Sequence, residues 1–197
     1  MLTAEQIAAR QNFLGGSDIA WMLGLYSAYT HDDGEPKTDY TLWQVKTGQR
    51  GPDAPNKNTK RGDKSEEANR LQFSHDTGLI VVPPTPVHYT NTEHPFMGCN
   101  VDGIIAGHDG SSGVFEAKDV KDPSKLAEKR LGYELQLLHN MIVTDLTWGF
   151  ISVKLPNKWL VFWRVEKDEE QAAQLIELER RFFAMVTAKA YRKDWRL

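Results

Sequence analysis

The pattern of apolar residues changes near the middle of the chain, and this change limits the folds that the sequence can adopt. Before Gly78 the apolar residues follow helical spacing, and residues 48–62, rich in Gly, Pro, Asn and Lys, predict a flexible basic loop before a helix at 63–73. The next forty residues instead contain short segments typical of strands. Two of them, 96–106 and 112–118, flank Asp109-Gly110, which favours a hairpin turn. We therefore expect an antiparallel hairpin at the centre of the fold.

The segments after this hairpin complete the predicted architecture. In order along the chain they predict a helix, two strands of a second hairpin and a final helix, at residues 125–143, 148–155, 159–165 and 168–191. This order predicts an α/β fold in which helices flank a central mixed sheet, with mostly antiparallel strands. We expect residues 1–197 to form one domain.

Composition restricts the functional class only weakly. A chain of 197 residues with 40% hydrophobic and 26% charged residues is typical of a globular protein, and its formal net charge of −3 does not by itself indicate a nucleic-acid-binding protein. The single cysteine excludes an internal disulfide and a four-cysteine metal site. Since neither a leader-like segment nor an apolar run of about 18 residues occurs, we expect a cytoplasmic protein without membrane contact.

The residues that can carry chemistry lie on the central hairpin. Asp102 ends one predicted strand, and Glu116-Ala117-Lys118 ends the next. Because side chains alternate along a strand, Glu116 and Lys118 share a face, and Asp102 can meet them across the hairpin. Two neighbouring carboxylates attract a hard divalent cation such as Mg²⁺, and a nearby ammonium can position a water. The pattern is therefore compatible with metal-assisted phosphodiester hydrolysis.

The acidic-x-Lys spacing alone has little specificity. It also occurs at Glu35-Pro36-Lys37 and Asp119-Val120-Lys121, and a surface Glu–Lys pair at a strand end, worth at most about 1 kcal/mol, is the alternative interpretation. Glu116 differs from the other two because two apolar residues lead into it.

Four ordered motifs extend this pattern from Arg10 to about Lys154. They are Arg10-x6-Ser17 within RQNFLGGSD, Gly62-x3-Glu66 followed by Arg70, Phe73 and Thr77-Gly78, the pair GCNVDG and FEAK, and Tyr133-x2-Gln136. Together they resemble the motifs of the phage lambda exonuclease and YqaJ-type viral recombinase family, within the PD-(D/E)XK nuclease superfamily. The resemblance implies a restriction-endonuclease-like fold.

The resemblance also implies a role for each matched position. The implied metal ligands, for Mg²⁺ with Mn²⁺ as a substitute, are Asp102, Glu116, the carbonyl of Ala117 and, directly or through water, Glu66. The implied catalytic lysine is Lys118, and Gln136 would orient the site or the terminal phosphate. The residues implied to hold the 5′-phosphate of a DNA end are Arg10 and Ser17, with Gln136.

Simpler interpretations of the same residues stay open. Ser17 could be the N-cap of a helix that begins at Asp18, and Arg10 could be a cation at a helix end. Gln136 could satisfy a buried polar contact. Glu67 competes with Glu66, but Glu66 shares a helix face with Phe73 and is therefore favoured. We expect the six histidines to be loop or surface residues, because they show no metal-ligand spacing.

The function implied by the resemblance is 5′→3′ digestion of one strand at duplex DNA ends, during phage or prophage recombination in a bacterial host. A single-strand annealing protein is the implied partner, and a homotrimer is compatible with the family. The alternatives are a PD-(D/E)XK endonuclease of restriction or repair type and a non-catalytic DNA-end-binding module. One departure is that Asp33 and Thr59 are polar where the lambda enzyme has apolar wedges that split the duplex.

Overall fold

The structure, a computed structural model, describes residues 10–25, 30–51, 57–157 and 159–197, with the backbone alone described for residue 10 and residues 57–64. Its helices are α1 (Gly16–Met22), α2 (Asp39–Lys46), α3 (Lys57–Thr77), α4 (Leu126–Thr144) and α5 (Glu169–Ala188). Its strands are β1 (Ile80–Val82), β2 (Tyr89–Thr90), β3 (Gly98–Cys99), β4 (Gly103–Ala106), β5 (Ser112–Asp119), β6 (Trp148–Lys154) and β7 (Leu160–Glu166). Two 3-10 turns lie at Arg10–Asn12 and Pro123–Lys125. Among the described residues, no helix combines the length and the apolar character that crossing a bilayer requires.

The main sheet has five strands in the order β1-β4-β5-β6-β7, and β2 pairs separately with β3. The predicted central hairpin is confirmed as β4–β5, with Gly103 opposite Phe115. The neighbouring pair β5–β6 is parallel, while β6–β7 is antiparallel. Parallel neighbours need a long crossover connection, and α4 provides it. The sheet is therefore mixed, as predicted, although the sequence did not indicate which two strands form the parallel pair.

The two faces of the sheet are covered by different helices. On one face, Val114 and Ile151 pack with apolar residues of α4 and α5. On the other, Phe115 packs with Phe73 of α3 and with Trp148. Because the side chains of β5 alternate, Glu116 and Lys118 point to the α4 side and Ala117 points to the α3 side.

Two predicted boundaries were wrong. Helix α3 begins at Lys57 rather than at residue 63, because no proline follows Pro55 in this region and a single glycine, Gly62, costs only about 1 kcal/mol within a helix. The predicted strand at 96–106 is divided into β3 and β4, because β3 pairs with β2 while β4 pairs with β1 and β5. Asp102 consequently precedes a strand instead of ending one.

The expectation that all six histidines are loop or surface residues was also wrong, because His139 lies on α4 and is fully buried. Its Nδ1 lies 2.9 Å from Glu179 Oε1 of α5, and its Nε2 donates to the carbonyl of Gly98 at 3.1 Å. Burial lowers the pKa of His139, but the charge and hydrogen bond of Glu179 and the Gly98 carbonyl outweigh it, so the pKa is raised. Burial also raises the pKa of Glu179. The pair therefore holds a proton between α4 and α5.

We predict that Glu179→Ala lowers the free energy of unfolding by about 3–5 kcal/mol, because it leaves the buried imidazole without its partner. Glu179→Gln should cost clearly less, since an amide can donate to Nδ1 of a neutral His139. Urea denaturation of both variants measures the difference. Glu177→Ala is the control, because Glu177 pairs with Arg180 on the surface of the same helix. Equal losses in all three variants would contradict a stabilising role for the buried pair.

Candidate active site

The site is built around the carboxylate of Glu116, which is buried near the end of β5 with 2% of the residue exposed. Oε1 accepts from Lys118 Nζ and from Gln136 Nε2, each at 2.6 Å. Oε2 accepts from Asn140 Nδ2 at 2.9 Å. Gln136 also accepts from Lys118 Nζ at 2.8 Å, so these three side chains form a closed network. The structure therefore brings Glu116, Lys118 and Gln136 together.

Helix α4 supplies the two amides because Gln136 and Asn140 are four residues apart and share a helix face. The aromatic ring of Tyr133, on the same helix, lies 5.4 Å from Lys118 Nζ. Tyr133 itself is buried. Sequence reasoning missed Asn140, although its spacing from Gln136 was a usable signal.

Asp102 faces Glu116 across the β4–β5 pair. Its Oδ2 accepts from the backbone N–H of Ala117 at 2.7 Å. Its pKa is raised well above the usual value by enclosure among protein atoms, then by the negative charges of Glu116 and Glu66, which together outweigh Lys118 and the Ala117 hydrogen bond. The structure thus brings together carboxylates that repel one another.

Glu66 rather than Glu67 is turned to the site. Glu66 is half-buried and close enough to influence Asp102, while Glu67 is exposed. The next turn of α3 fixes this rotation, because Asn69 Nδ2 donates to the carbonyl of Ser152 at 2.9 Å and Asn69 Oδ1 accepts from the Ser152 hydroxyl at 2.6 Å. Asn69 is a second contact that the sequence did not reveal.

The oxygen atoms of Asp102, Glu116 and the Ala117 carbonyl are the candidate ligands for a divalent cation. Within the part of the chain that the structure describes, no three acidic, histidine or cysteine side chains are grouped closely enough to hold an ion as they stand. Lys118 already places a positive charge against Glu116. Mg²⁺, however, needs few protein oxygens because it retains several waters. Asp102, Glu116 and the Ala117 carbonyl fit that requirement, and a cation would relieve the repulsion that raises the pKa of Asp102.

The start of α1 lies beside α4. A Cβ atom added to Gly16 would lie 3.0 Å from Gln136 Cγ and 3.2 Å from the Gln136 carbonyl oxygen, so glycine allows this approach. Ser17 is exposed. The side chain of Arg10 lies outside the described residues.

Ser17 is not the N-cap of α1, contrary to the simpler interpretation. The helix begins at Gly16, and Gly15 occupies the N-cap position. The Asp18 carboxylate accepts from the Gly15 N–H at 2.8 Å and pairs with Lys46 at 2.7 Å. The acidic residue performs the cap because its position in the first turn lets it reach back to that N–H. Ser17 is left at the surface of the turn.

Comparisons with known proteins identify a family for this chain. A family model described as a YqaJ-like viral recombinase domain matches residues 6–147, which confirms the resemblance carried by the motifs. No curated protein gives a significant match.

Two solved exonucleases have similar structures. An alkaline exonuclease from Laribacter hongkongensis is 20% identical with a TM-score of 0.72, covering 95% of this chain and 94% of that chain. A phage-related exonuclease from Haemophilus somnus is 13% identical with a TM-score of 0.63, covering 90% of this chain and 96% of that chain. At these identities the likeness concerns the fold, and it confirms the predicted fold class.

We predict that Asp102→Asn stabilises the protein in the presence of a chelator. A carboxyl whose folded pKa is raised contributes stability only at low pH and loses it as the pH rises through the folded pKa. The gain should therefore be absent below about pH 4, where the carboxyl is protonated in both states, and should grow above it. Asparagine can still accept from the Ala117 N–H. Thermal melting of both proteins across this pH range measures the effect, at about 2–4 °C per kcal/mol. A variant that is less stable at pH 8 would contradict the assigned electrostatic strain.

Proposed function

Because the chain belongs to the YqaJ-like viral recombinase family, we propose that it is a metal-dependent DNA exonuclease of the PD-(D/E)XK type. It would digest one strand of a linear duplex from the 5′ end in phage or prophage recombination. The observation that carries this proposal is the convergence of Lys118 and Gln136 on Glu116, with Asp102 across the hairpin. The names of the structural neighbours support it, since both are described as exonucleases, and one of them is also described in complex with dAMP.

In this mechanism Asp102, Glu116 and the Ala117 carbonyl would hold the cation, and Glu66 would complete the site directly or through water. When bound, Mg²⁺ or Mn²⁺ stabilises charge on a phosphoryl oxygen and lowers the pKa of a coordinated water. The protein's own contribution is to fix these oxygens before DNA arrives, because preorganised charges need no rearrangement during the reaction.

We assign Lys118 to position the attacking water and to stabilise the charge of the scissile phosphate. Its Nζ is held by Glu116 at 2.6 Å and by Gln136 at 2.8 Å. It therefore presents a positive charge at a defined place beside the carboxylates. Gln136 contributes by donating to Glu116 and accepting from Lys118, so it maintains the distance between these two groups.

We assign Arg10, Ser17 and Gln136 to hold the 5′-phosphate of the DNA end. Gly16 brings the turn against Gln136, so a terminal phosphate held by Ser17 would lie beside the active site. Since Asp18 already accepts the Gly15 N–H, this pocket depends on side chains more than on the helix N-terminus. Double-stranded DNA ends are the proposed ligand, with a single-strand annealing protein as partner and a homotrimer as the assembly.

An endonuclease of restriction or repair type is the second candidate. The observation that favours it is that Asp33, near the place of an expected wedge, forms an ion pair with Arg50 instead of presenting an apolar side chain. An end-labelled linear duplex and a covalently closed circle, each incubated with and without Mg²⁺, separate the candidates. An endonuclease nicks the circle, and a non-catalytic end-binding module cleaves neither substrate.

We predict that Asp102→Ala, Glu116→Ala and Lys118→Ala each abolish cleavage of the linear duplex, with a loss of at least about 100-fold for Lys118. Circular dichroism should show the wild-type helix and strand content, because apolar clusters pack on both faces of the sheet. Lys167→Ala is the matched control, since Lys167 pairs with Glu169 away from the site.

Mg²⁺ and Mn²⁺ should support turnover, while Ca²⁺ should support binding alone because it coordinates loosely. Full activity of Lys118→Ala, or of the wild type in excess chelator, would refute the mechanism.

We also predict that 5′-phosphorylated duplex ends are degraded faster than 5′-hydroxyl ends. A terminal phosphate carries more charge than an internal one, and an arginine can grip it with two parallel hydrogen bonds. Arg10→Ala should remove most of this preference, a loss of about 1.5–3 kcal/mol, without affecting cleavage chemistry. Initial rates on the two end types, for both proteins, measure it. If the wild type degrades both ends equally fast, the phosphate pocket does not exist.

A further inference from the structure

Asn140 is a buried residue that none of the sequence motifs contains. It lies on α4 one turn after Gln136, and 1% of the residue is exposed. Its Nδ2 donates to Glu116 Oε2 at 2.9 Å. The two other side-chain donors described for this carboxylate, Lys118 and Gln136, are both bonded to Oε1. Asn140 therefore contacts the one oxygen that these two do not hold.

The chemistry of the partners fixes the orientation of the Asn140 amide. An ionised carboxylate can only accept hydrogen bonds, so the NH₂ group must face Glu116. The amide oxygen then faces α1, where it is buried and has no hydrogen-bond partner among the described residues. A Cβ atom on Gly16 would lie 2.5 Å from this oxygen, so Gly16 leaves just enough space for it.

Packing alone does not account for an asparagine here. Leucine has a similar size and would fill the same place without a buried, unpaired acceptor, which is unfavourable. The contact that asparagine makes and leucine cannot make is the hydrogen bond to Glu116. With Oε1 held by two donors, a donor on Oε2 prevents the carboxylate from rotating about its terminal bond.

We propose that Asn140 is a positioning residue of the active site, which holds the Glu116 carboxylate in the orientation that binds the divalent cation. The proposal rests on the proposed function, because it assumes that Glu116 is a metal ligand. Asn140 acts through Glu116 and touches neither DNA nor the reacting atoms. Residues that orient metal ligands in this way typically change metal affinity or activity by about 10–100-fold when they are removed.

The test compares Asn140→Leu with Asn91→Leu. Asn91 is a matched control because its Nδ2 donates to the Ile142 carbonyl of the same helix at 2.9 Å, with no contact to the carboxylates. Calorimetric titration with Mn²⁺ in the absence of DNA should give about 10–100-fold weaker binding for Asn140→Leu and wild-type binding for Asn91→Leu. On linear duplex, kcat should fall in Asn140→Leu while KM stays unchanged. In urea unfolding with a chelator present, Asn91→Leu should lose at least as much free energy of unfolding as Asn140→Leu.

A second variant, Asn140→Ala, removes the same donor without adding bulk beside Gly16. It should also weaken Mn²⁺ binding in the absence of DNA, and it keeps the test valid if Asn140→Leu does not fold. Wild-type Mn²⁺ affinity in the folded variants overturns the positioning role and leaves the proposed function standing. A wild-type protein that neither binds Mn²⁺ nor degrades DNA overturns the proposed function, and the positioning role with it.

Discussion

The burial of a charged carboxylate at Glu116 is the constraint on which the rest of the site depends. An ionised group with so little solvent is tolerable only when donors surround it. Lys118 comes from the same strand, but Gln136 and Asn140 must come from elsewhere. The crossover helix α4 brings them, since it connects the parallel strands β5 and β6 and must lie across the face of the sheet to which Glu116 points.

This arrangement explains why the sequence predicted some parts of the molecule and not others. The β4–β5 hairpin was predictable because alternation and the Asp109-Gly110 turn are local signals. The choice of Glu66 over Glu67 was also local, since it depended only on the rotation of a helix that buries Phe73. The parallel pairing of β5 with β6 was not predictable, because it joins segments separated by a whole helix and no local pattern records it.

The contacts that the sequence did not reveal are polar groups inside helices. Asn69 and His139 have no neighbours in the sequence that indicate Ser152 and Glu179 as partners. For Asn140, the spacing from Gln136 places it on the same helix face but does not name Glu116 as its partner. Their partners lie on other elements of the fold. Burial of such groups is recognisable only after the elements are assembled, because a helix pattern states which face is apolar and not what lies opposite a polar residue on it.

The contact between α1 and α4 joins the two halves of the proposed site. Gly16 packs against both Gln136 and Asn140, with no room for a side chain. These two amides hold the two oxygens of Glu116. A displacement of the turn by a DNA end would therefore reach Glu116, the proposed metal ligand, through one layer of packed atoms. Since coupling between two binding events is reciprocal, a cation that fixes Glu116 would also fix α4 and, through it, the turn that carries Ser17. Recognition of the end and preparation of the metal site would then be one structural event, in which a glycine provides the close contact and two amides transmit it.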